Sequence, residues 1–322
     1  MLSYAFLLIC SSFLSNSGVV LVQARVLTEI PYDFKNLCSD INAPALAGKQ
    51  NAKVLTWLLQ ATGESSLKLK TSPQHEAACW MLFGDPFRKK VLGNRAAFRQ
   101  RYALAVFYYA TKGPEAWYPD VGNPNATTSA IQEDGSNFWL SKSHECTWYG
   151  VQCTMFIPFA QRKVVGLDVT FFGVGGILPR ELALLNHLKE LDLHGNDLQG
   201  VLPHLAVVNW KKMERLALHM NGFFGNLHSE MTSMKNLREL LLFGNYFGGT
   251  IPKQLAQLRH LGTCDFSFRS TFIVRKCGAI RALILVLCFP LLILTEVIDL
   301  YANQLDGRIP SELATLPRLR KF

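Results

Sequence analysis

The chain has 322 residues, of which 49% are hydrophobic, so a globular or solenoid protein of one elongated or two compact domains is the default. Its formal net charge of +9 is uneven, because the stretch between Arg25 and Lys112 alone carries 13 basic against 6 acidic residues. These bases are scattered and lack the aromatic-basic pattern of nucleic-acid binders, so a nucleic-acid partner is excluded. A solvated helical face explains them better than an acidic polysaccharide or another anionic surface as ligand.

The first 24 residues predict a secretory signal peptide. They carry no charge, contain the apolar stretch Leu2 to Ile9, and close on Val22-Gln23-Ala24 ahead of Arg25. A buried first helix is the alternative interpretation. A signal peptide at residues 1–24 would place the protein in the secreted fraction or on the extracellular face of the plasma membrane.

Secretion would expose the cysteines to an oxidising compartment, where pairs close into disulfides. Cys10 would leave with the signal peptide, whereas Cys146 and Cys153 bracket the short loop CTWYGVQC and form the most persuasive pair. Cys38 and Cys79 pair only if the fold brings them together. The remaining three cysteines form an odd set: Cys264, Cys277 and Cys288.

Residues 25–112 predict a helical N-terminal module. Apolar residues recur at helical spacing in three segments, around Gln50 to Gly63, Pro73 to Phe83 and Asn94 to Thr111. A loop or linker is predicted for residues 113–136, since Tyr118 to Ser136 is rich in Gly, Pro and Asn. This loop contains Asn125-Ala126-Thr127, which makes Asn125 a candidate glycosylation site.

A sequence pattern returns several times from Val164 onward. Leucines that anchor successive copies are 24, 25 and 24 positions apart, and they are Leu167, Leu191, Leu216 and Leu240. A fixed period of this length predicts a solenoid. The copies read VVGLDVTFFGVGGILP, LKELDLHGNDLQGVLP, MERLALHMNGFFGNLH, LRELLLFGNYFGGTIP and, further on, EVIDLYANQLDGRIP.

Each copy encodes a short strand followed by a turn. Leu191 and Leu193 alternate with Asp192 and His194, a period of two that buries one face of a strand and exposes the other. An asparagine falls at the following turn, where its carboxamide can satisfy backbone groups of adjacent coils that would otherwise be buried without a partner. The asparagines are Asn196, Asn221, Asn245 and Asn303.

The combined motif L-x-x-L-x-L-x-x-N-x-L-x-G-x-[IL]-P resembles the plant-type, or extracellular, leucine-rich repeat. The resemblance implies an α/β fold, a right-handed solenoid with short parallel strands, with repeats one to four at residues 164–261. Repeat five and a truncated next repeat would occupy residues 296–322. Two positions depart from the motif, since Phe172 replaces the asparagine of repeat one and His228 replaces the proline of repeat three.

Residues 137–163, which contain WLS and HECTWYGVQC, resemble the N-terminal cap of that family. The resemblance implies that Cys146 and Cys153 pair and close the exposed end of the first coil. The segments SPQHEAACWMLFGDP and RQRYALAVFYYATKG of the helical module are similar to the module that precedes the cap in secreted and receptor-like leucine-rich-repeat proteins of diatoms.

The alternate strand residues should line the concave face of the solenoid. The candidate ligand-binding residues are rich in rings for exposed strand positions, which suits the recognition of a protein, peptide or glycan ligand better than a merely tolerated surface. They are Thr170, Asp192, His194, His219, Phe243 and Tyr301.

No enzyme motif is present, and no catalytic residue, metal site or cofactor is predicted. The histidines follow the repeat rather than a metal-ligand spacing, and no motif places a nucleophile or paired carboxylates. Two functions stay open. One is an extracellular recognition module, free or as part of a receptor-like protein in cell-surface signalling; the other is a secreted enzyme inhibitor or a wall or matrix structural protein.

Residues 262–295 interrupt the repeat. Ile298 lies 58 positions after Leu240, which is 34 more than one period of 24. A retained in-frame intron, a membrane-associated segment through residues 280–294, and a loop or divergent repeat all stay open. The length disfavours a membrane span, since Ala282 to Thr295 holds only 14 uncharged residues and a spanning helix needs about 20. The chain stops at Phe322 without a polar cap, so a fragment of a longer protein is expected, or one that leans on a partner.

Overall fold

The computed structural model describes residues 29–30, 32–41, 43–113, 117, 139–158, 161–260, 263–265 and 302–316. The predicted signal peptide, the glycosylation candidate Asn125 and the binding candidate Tyr301 lie outside these residues. Within them, no helix is long and apolar enough to cross a membrane.

Helices dominate the N-terminal part. The α-helices of the described residues are α1 (Gly48–Thr62), α2 (Glu64–Lys68), α3 (Pro73–Cys79), α4 (Arg88–Val91), α5 (Arg95–Ala110) and, among the repeats, α6 (His204–Asn209). A π-helical turn, Trp80–Gly84, extends α3, and the 3-10 helices are Tyr32–Phe34, Ser39–Ile41, Glu145–Thr147, Arg180–Leu184, Ser229–Ser233, Lys253–Gln257 and Ser311–Thr315. The three helices predicted from apolar spacing are thereby confirmed.

Short strands follow in the cap and the repeats. They are β1 (Val151–Cys153), β2 (Val164–Asp168), β3 (Gly175–Ile177), β4 (Glu190–Asp192), β5 (Asp197–Gly200), β6 (Arg215–Ala217), β7 (Gly222–Asn226), β8 (Glu239–Leu241), β9 (Tyr246–Gly249), β10 (Thr263–Asp265) and β11 (Gln304–Leu305).

Local capping and apolar packing fix the helical module. Ser72 accepts a hydrogen bond from the backbone N–H of His75 (3.0 Å) at the start of α3, and Pro73 supplies the helical φ at its first position. Asn94 caps α5 in the same way by accepting from Ala96 and Ala97. Cys38 and Cys79 form a disulfide inside the core of this module.

The repeats form two parallel sheets on a shared core. The concave sheet has the order β1-β2-β4-β6-β8-β10, with β1 antiparallel to β2 and all other pairs parallel. The second sheet has the order β11-β9-β7-β5-β3 and is parallel throughout. The anchor leucines of the sequence pattern lie in register and are fully buried, which confirms the leucine-rich-repeat solenoid.

The cap closes the first coil. Cys146 and Cys153 form a disulfide, so the pair that the family resemblance implies is confirmed. Strand β1 adds to the edge of the concave sheet, where an unpaired strand would otherwise expose backbone donors and acceptors. Ala103, Leu104 and Phe107 of α5 pack into the repeat core, so the helical module covers the same end of the solenoid.

The two positions that depart from the repeat motif keep the coil geometry. Phe172 donates its N–H to Asn196 of the next coil (3.0 Å), and its ring stacks on Tyr149 of the cap with centroids 4.7 Å apart. His228 takes φ −74° and ψ 130°, close to the values of the prolines at the equivalent positions of other coils. The first coil therefore exchanges a carboxamide for contacts with the cap.

Coil five combines residues that are distant in the chain. Strand β10 pairs with β8, and Cys264 lies in register with Leu240, 24 positions earlier. The turn of this coil comes from Asn303, which accepts from the N–H of Phe247 (3.1 Å) as a repeat asparagine does. Residues 263–265 therefore continue the register of the concave sheet, and the predicted bounds of the interruption, residues 262–295, stay a prediction.

Candidate recognition surface on the concave sheet

The concave sheet brings four of the predicted binding residues into one row. The register pairs Asp168, Asp192, Ala217 and Leu241, and residues two positions further along each chain therefore form the next row on the same face. That row holds Thr170, His194, His219 and Phe243. Asp192 lies in the adjacent row, on the same face.

The rings of this row stack on one another. His194 and His219 lie parallel with centroids 4.2 Å apart, and His219 and Phe243 follow at 4.3 Å. Phe171 meets His194 edge to face at 5.0 Å. We call these four side chains, Phe171, His194, His219 and Phe243, the ring ladder.

The stacking corrects one sequence-based expectation. The strand pattern predicts exposed side chains, but His219 is only 4% exposed and Asp192 only 7%. Parallel strands lie about 4.8 Å apart, so flat side chains at equivalent positions cover each other's faces. The ring ladder therefore offers a ligand the exposed ring of Phe171, the half-buried ring of Phe243 and the edges of the histidines between them.

A row of charges runs beside the ring ladder. The Nδ1–H of His194 donates to Asp192 Oδ1 (2.6 Å), and Arg215 bonds to Asp192 Oδ2 and to Glu239 Oε2 (2.8 Å). Burial disfavours ionisation of Asp192, but the hydrogen bond from His194 and the charges of His194 and Arg215 outweigh it. The pKa of Asp192 is held well below its usual range, so a carboxylate is fixed under the ladder.

Sequence reasoning did not select Arg215 and Glu239. They occupy variable positions of the repeat motif, two residues before Ala217 and Leu241 on the same face of the sheet. The signal that identifies them is the alternation of charge in one registered row, Glu190, Arg215 and Glu239.

His219 is a buried neutral histidine with an unpartnered ring nitrogen. Burial, followed by the nearby charges of His194 and Arg215, lowers its pKa from 6.5 to about 3. Its Nδ1 is buried and has no hydrogen-bond partner among the described residues. The ring therefore contributes stacking to the ladder at the cost of one unsatisfied polar atom.

We expect His219→Phe to remove an acid sensitivity of the fold. Between pH 6.5 and about 3 the unfolded chain binds a proton at His219 that the folded chain does not. The wild-type free energy of unfolding should therefore fall as the pH is lowered through this window, by up to about 1.4 kcal/mol per pH unit. The phenyl ring of the variant keeps the stacking shape and does not titrate, so denaturant unfolding at a series of pH values should show a flatter profile. An unchanged slope would contradict the assignment.

One group of side chains has the composition of a metal site. Asp40, His75 and Cys79 place possible ligand atoms within 4.8 Å of one another. The sulfur of Cys79 is bonded to Cys38, and the Nδ1–H of His75 donates to the carbonyl of Leu67 (2.7 Å). His75 Nε2 lies 3.2 Å from Asp40 Oδ1, so the buried His75 and the exposed Asp40 form a polar contact at the edge of the module core.

Registered leucine-rich coils, an asparagine at each turn and a side-chain ladder on the concave sheet define a leucine-rich-repeat solenoid with a candidate binding face. A family model described as Leucine Rich Repeat matches residues 187–206 and 236–258. These matched segments fall in the second coil and the fourth.

The comparisons with individual proteins find plant receptors. A 108-residue stretch is 31% identical to the LRR receptor-like serine/threonine-protein kinase GSO2 of Arabidopsis thaliana, and covers 33% of this chain but only 8% of that protein. Among solved structures, the LRR ectodomain of the receptor kinase SOBIR1 from Arabidopsis thaliana aligns with 20% identity and a TM-score of 0.44, over 70% of this chain and 90% of that one. The ectodomain of GASSHO1/SCHENGEN3 from Arabidopsis thaliana, solved in complex with CASPARIAN STRIP INTEGRITY FACTOR 2, aligns with 25% identity and a TM-score of 0.44, over 59% of this chain and 18% of that one.

Proposed function

We propose that this chain is an extracellular, non-catalytic recognition module of the receptor-like type, and that its concave face binds a protein or peptide ligand. The observation that carries the proposal is the ring ladder, which crosses four consecutive coils beside a bonded row of charges. Aromatic side chains and arginine are the residue types that concentrate binding energy at protein interfaces.

The ladder is preorganised for binding. Each ring is held by the ring of the neighbouring coil, and Asp192 fixes the orientation of His194 through a 2.6 Å hydrogen bond. Side chains that are already ordered lose little conformational entropy when a ligand arrives. Asp168 is exposed at the edge of the same face and offers a carboxylate to a backbone amide or a basic side chain of the ligand.

The extracellular location has two supports. The two disulfides are typical of proteins that fold in an oxidising compartment. The predicted signal peptide would direct the chain to such a compartment. Similarity to a receptor-like kinase over the repeats supports the receptor-like interpretation. The similar region is the repeat region of that relative and not its kinase domain, which supports a non-catalytic module.

A peptide-display experiment tests the proposal. A random peptide library selected on the full chain should yield peptides whose capture falls about tenfold or more for the variant His194→Ala/Phe243→Ala, a loss of about 1.4 kcal/mol. His219 is left intact because its removal would open a buried cavity. The matched control is Phe224→Ala/Tyr246→Ala, which removes two exposed rings from the second sheet. Equal capture by wild type and the concave variant, with both folded, would overturn the proposal.

A further inference from the structure

Basic side chains line one edge of the solenoid in register. The concave strands align Gly166, Glu190, Arg215, Glu239 and Thr263. The residues three and four positions before each of these lie in the turns that lead into the strands, and most of them are basic. We call the basic members the basic edge: Arg162, Lys163, His187, Lys211, Lys212, Lys235, Arg259 and His260.

The turns that carry the basic edge have the same geometry from coil to coil. The N–H groups of Lys211, Lys235 and Arg259 each donate to the carbonyl two residues earlier, at 2.8, 2.9 and 3.0 Å. The side chains of neighbouring coils approach one another, since Lys212 Nζ lies 3.0 Å from His187 Nδ1. At about 4.8 Å between strands, five coils place this row of basic side chains along roughly 19 Å.

The positive charges of the basic edge are poorly compensated. Among the described residues, no carboxylate lies within ion-pair distance of Lys163, Lys211, Lys212, Lys235 or Arg259, whereas Lys189 in the next row is paired with Glu214 at 2.7 Å. Burial, followed by the charges of Lys212 and Lys163, lowers the pKa of His187. His187 is therefore the neutral member of the edge and accepts a hydrogen bond from Lys212, and the lysines and arginines of the other coils carry the positive charge that favours an anion.

One end of the basic edge forms a pocket. A cavity of about 130 Å³ lies where α5 meets the first two coils, and its polar lining includes Arg99, Lys163, Asn186 and His187. No carboxylate lines it among the described residues. The pocket has room for a single carboxylate or sulfate group, and its donors come from the helical module and from two consecutive coils.

We propose that the basic edge binds a linear acidic polysaccharide, with one anionic group in the pocket beside Arg99 and further groups spaced along the coils. Cations repeated along the coils match a polymer that carries a charge on each sugar. The rings of the basic edge are the imidazoles of His187 and His260, so the edge offers no phenyl or indole face on which bases could stack, and none of its residues is a large exposed hydrophobic that could enter a bilayer. This surface differs from the ring ladder, so the inference goes beyond the proposed function.

Binding of oligogalacturonates to the full chain tests this inference. Affinity should rise with oligomer length until the oligomer spans the row, and it should fall as salt screens the charges. A variant that neutralises four bases of the edge should bind about tenfold more weakly. That variant is Lys211→Gln/Lys212→Gln/Lys235→Gln/Arg259→Gln.

A matched control distinguishes the effect of the basic edge from the effect of net charge alone. The variant Lys49→Gln/Lys70→Gln/Lys89→Gln/Lys142→Gln removes the same charge from exposed positions outside the edge and should keep affinity within about twofold. Equal losses in the two folded variants would overturn the proposal, as would equal binding of the fully methyl-esterified oligomer. Tighter binding of a single-stranded oligothymidylate or of phosphatidylserine vesicles through the same four bases would assign the edge to nucleic acid or membrane instead. The peptide-capture experiment tests the ring ladder only. Its failure would not contradict polysaccharide binding by the basic edge.

Discussion

Arg101→Met is expected to lower the free energy of unfolding by about 4 kcal/mol, because it leaves two buried carboxylates without a counterion. Arg101 is fully buried in α5 and donates to both oxygens of Asp85, at 2.8 and 2.9 Å. It also donates to Glu145 of the cap (3.2 Å) and to the carbonyls of Ser141 and Ser143. Its guanidinium lies over three rings of the same region: Trp80, Phe87 and Trp148.

The loss of Arg101 should destabilise the helical module and the cap together. Asp85 and Arg101 belong to the module, whereas Glu145 opens the cap helix, so the guanidinium ties the two together. Denaturant unfolding measures the change, and Arg95→Met on an exposed turn of the same helix is the control, with an expected effect within about 0.5 kcal/mol. The triple variant Asp85→Asn/Arg101→Met/Glu145→Gln should recover part of the stability. Equal effects of Arg95→Met and Arg101→Met would contradict this role.

The repeat was predictable because each residue type of its motif meets a separate physical requirement. Leu191 and Leu216 mark core positions, and Asn196 and Asn221 mark turns whose backbone groups need a partner. These requirements recur at one period, so each coil supports the assignment of the next. The helices of the module were predictable from apolar spacing, and the caps Ser72 and Asn94 fix where two of them begin.

The candidate surfaces were less predictable, since they depend on contacts between coils. Strand alternation placed His194, His219 and Phe243 on the concave face, but the contact distances that turn them into a stack follow only from their register. Arg101 resembles a solvated base of an amphipathic helix in the sequence RQRYALAV, and only its acidic partners from distant segments make burial favourable.

The net charge of the sequence does not reveal the basic edge. From Gly113 onward the sequence carries a net charge of only +2, which suggests no charged surface. The repeat places acids such as Glu190 and Glu239 in the strands and bases such as Lys211 and Lys235 in the turns before them. The two sets cancel in a sum along the chain but lie in different rows of the solenoid, so an alignment of the repeats reveals what composition conceals.

Asn196→Leu should cost about 4 kcal/mol, the largest loss expected from any of the repeat asparagines of the described residues. Its Oδ1 accepts from the N–H groups of Phe172 and Val174, both at 3.0 Å, and its Nδ2 donates to the carbonyl of Val169 (2.9 Å). None of these three backbone groups has a second partner among the described residues. Each buried group left unsatisfied costs about 1–3 kcal/mol, and leucine has nearly the shape of asparagine but no polar atoms.

Asn221→Leu is the matched comparison and should cost about half as much. Asn221 accepts from the N–H of Leu198 (3.1 Å), which becomes unpaired in the variant. The carbonyl of Leu193 that it binds also accepts from Asn196 (2.9 Å), and that of Leu218 also accepts from Asn245 (3.0 Å). Since one group rather than three loses its last partner, denaturant unfolding should rank Asn196→Leu well below Asn221→Leu in stability. Asn196 also bonds the backbone of the first coil, which has Phe172 in place of the repeat asparagine. Equal losses of stability in the two variants would contradict this additional role of Asn196.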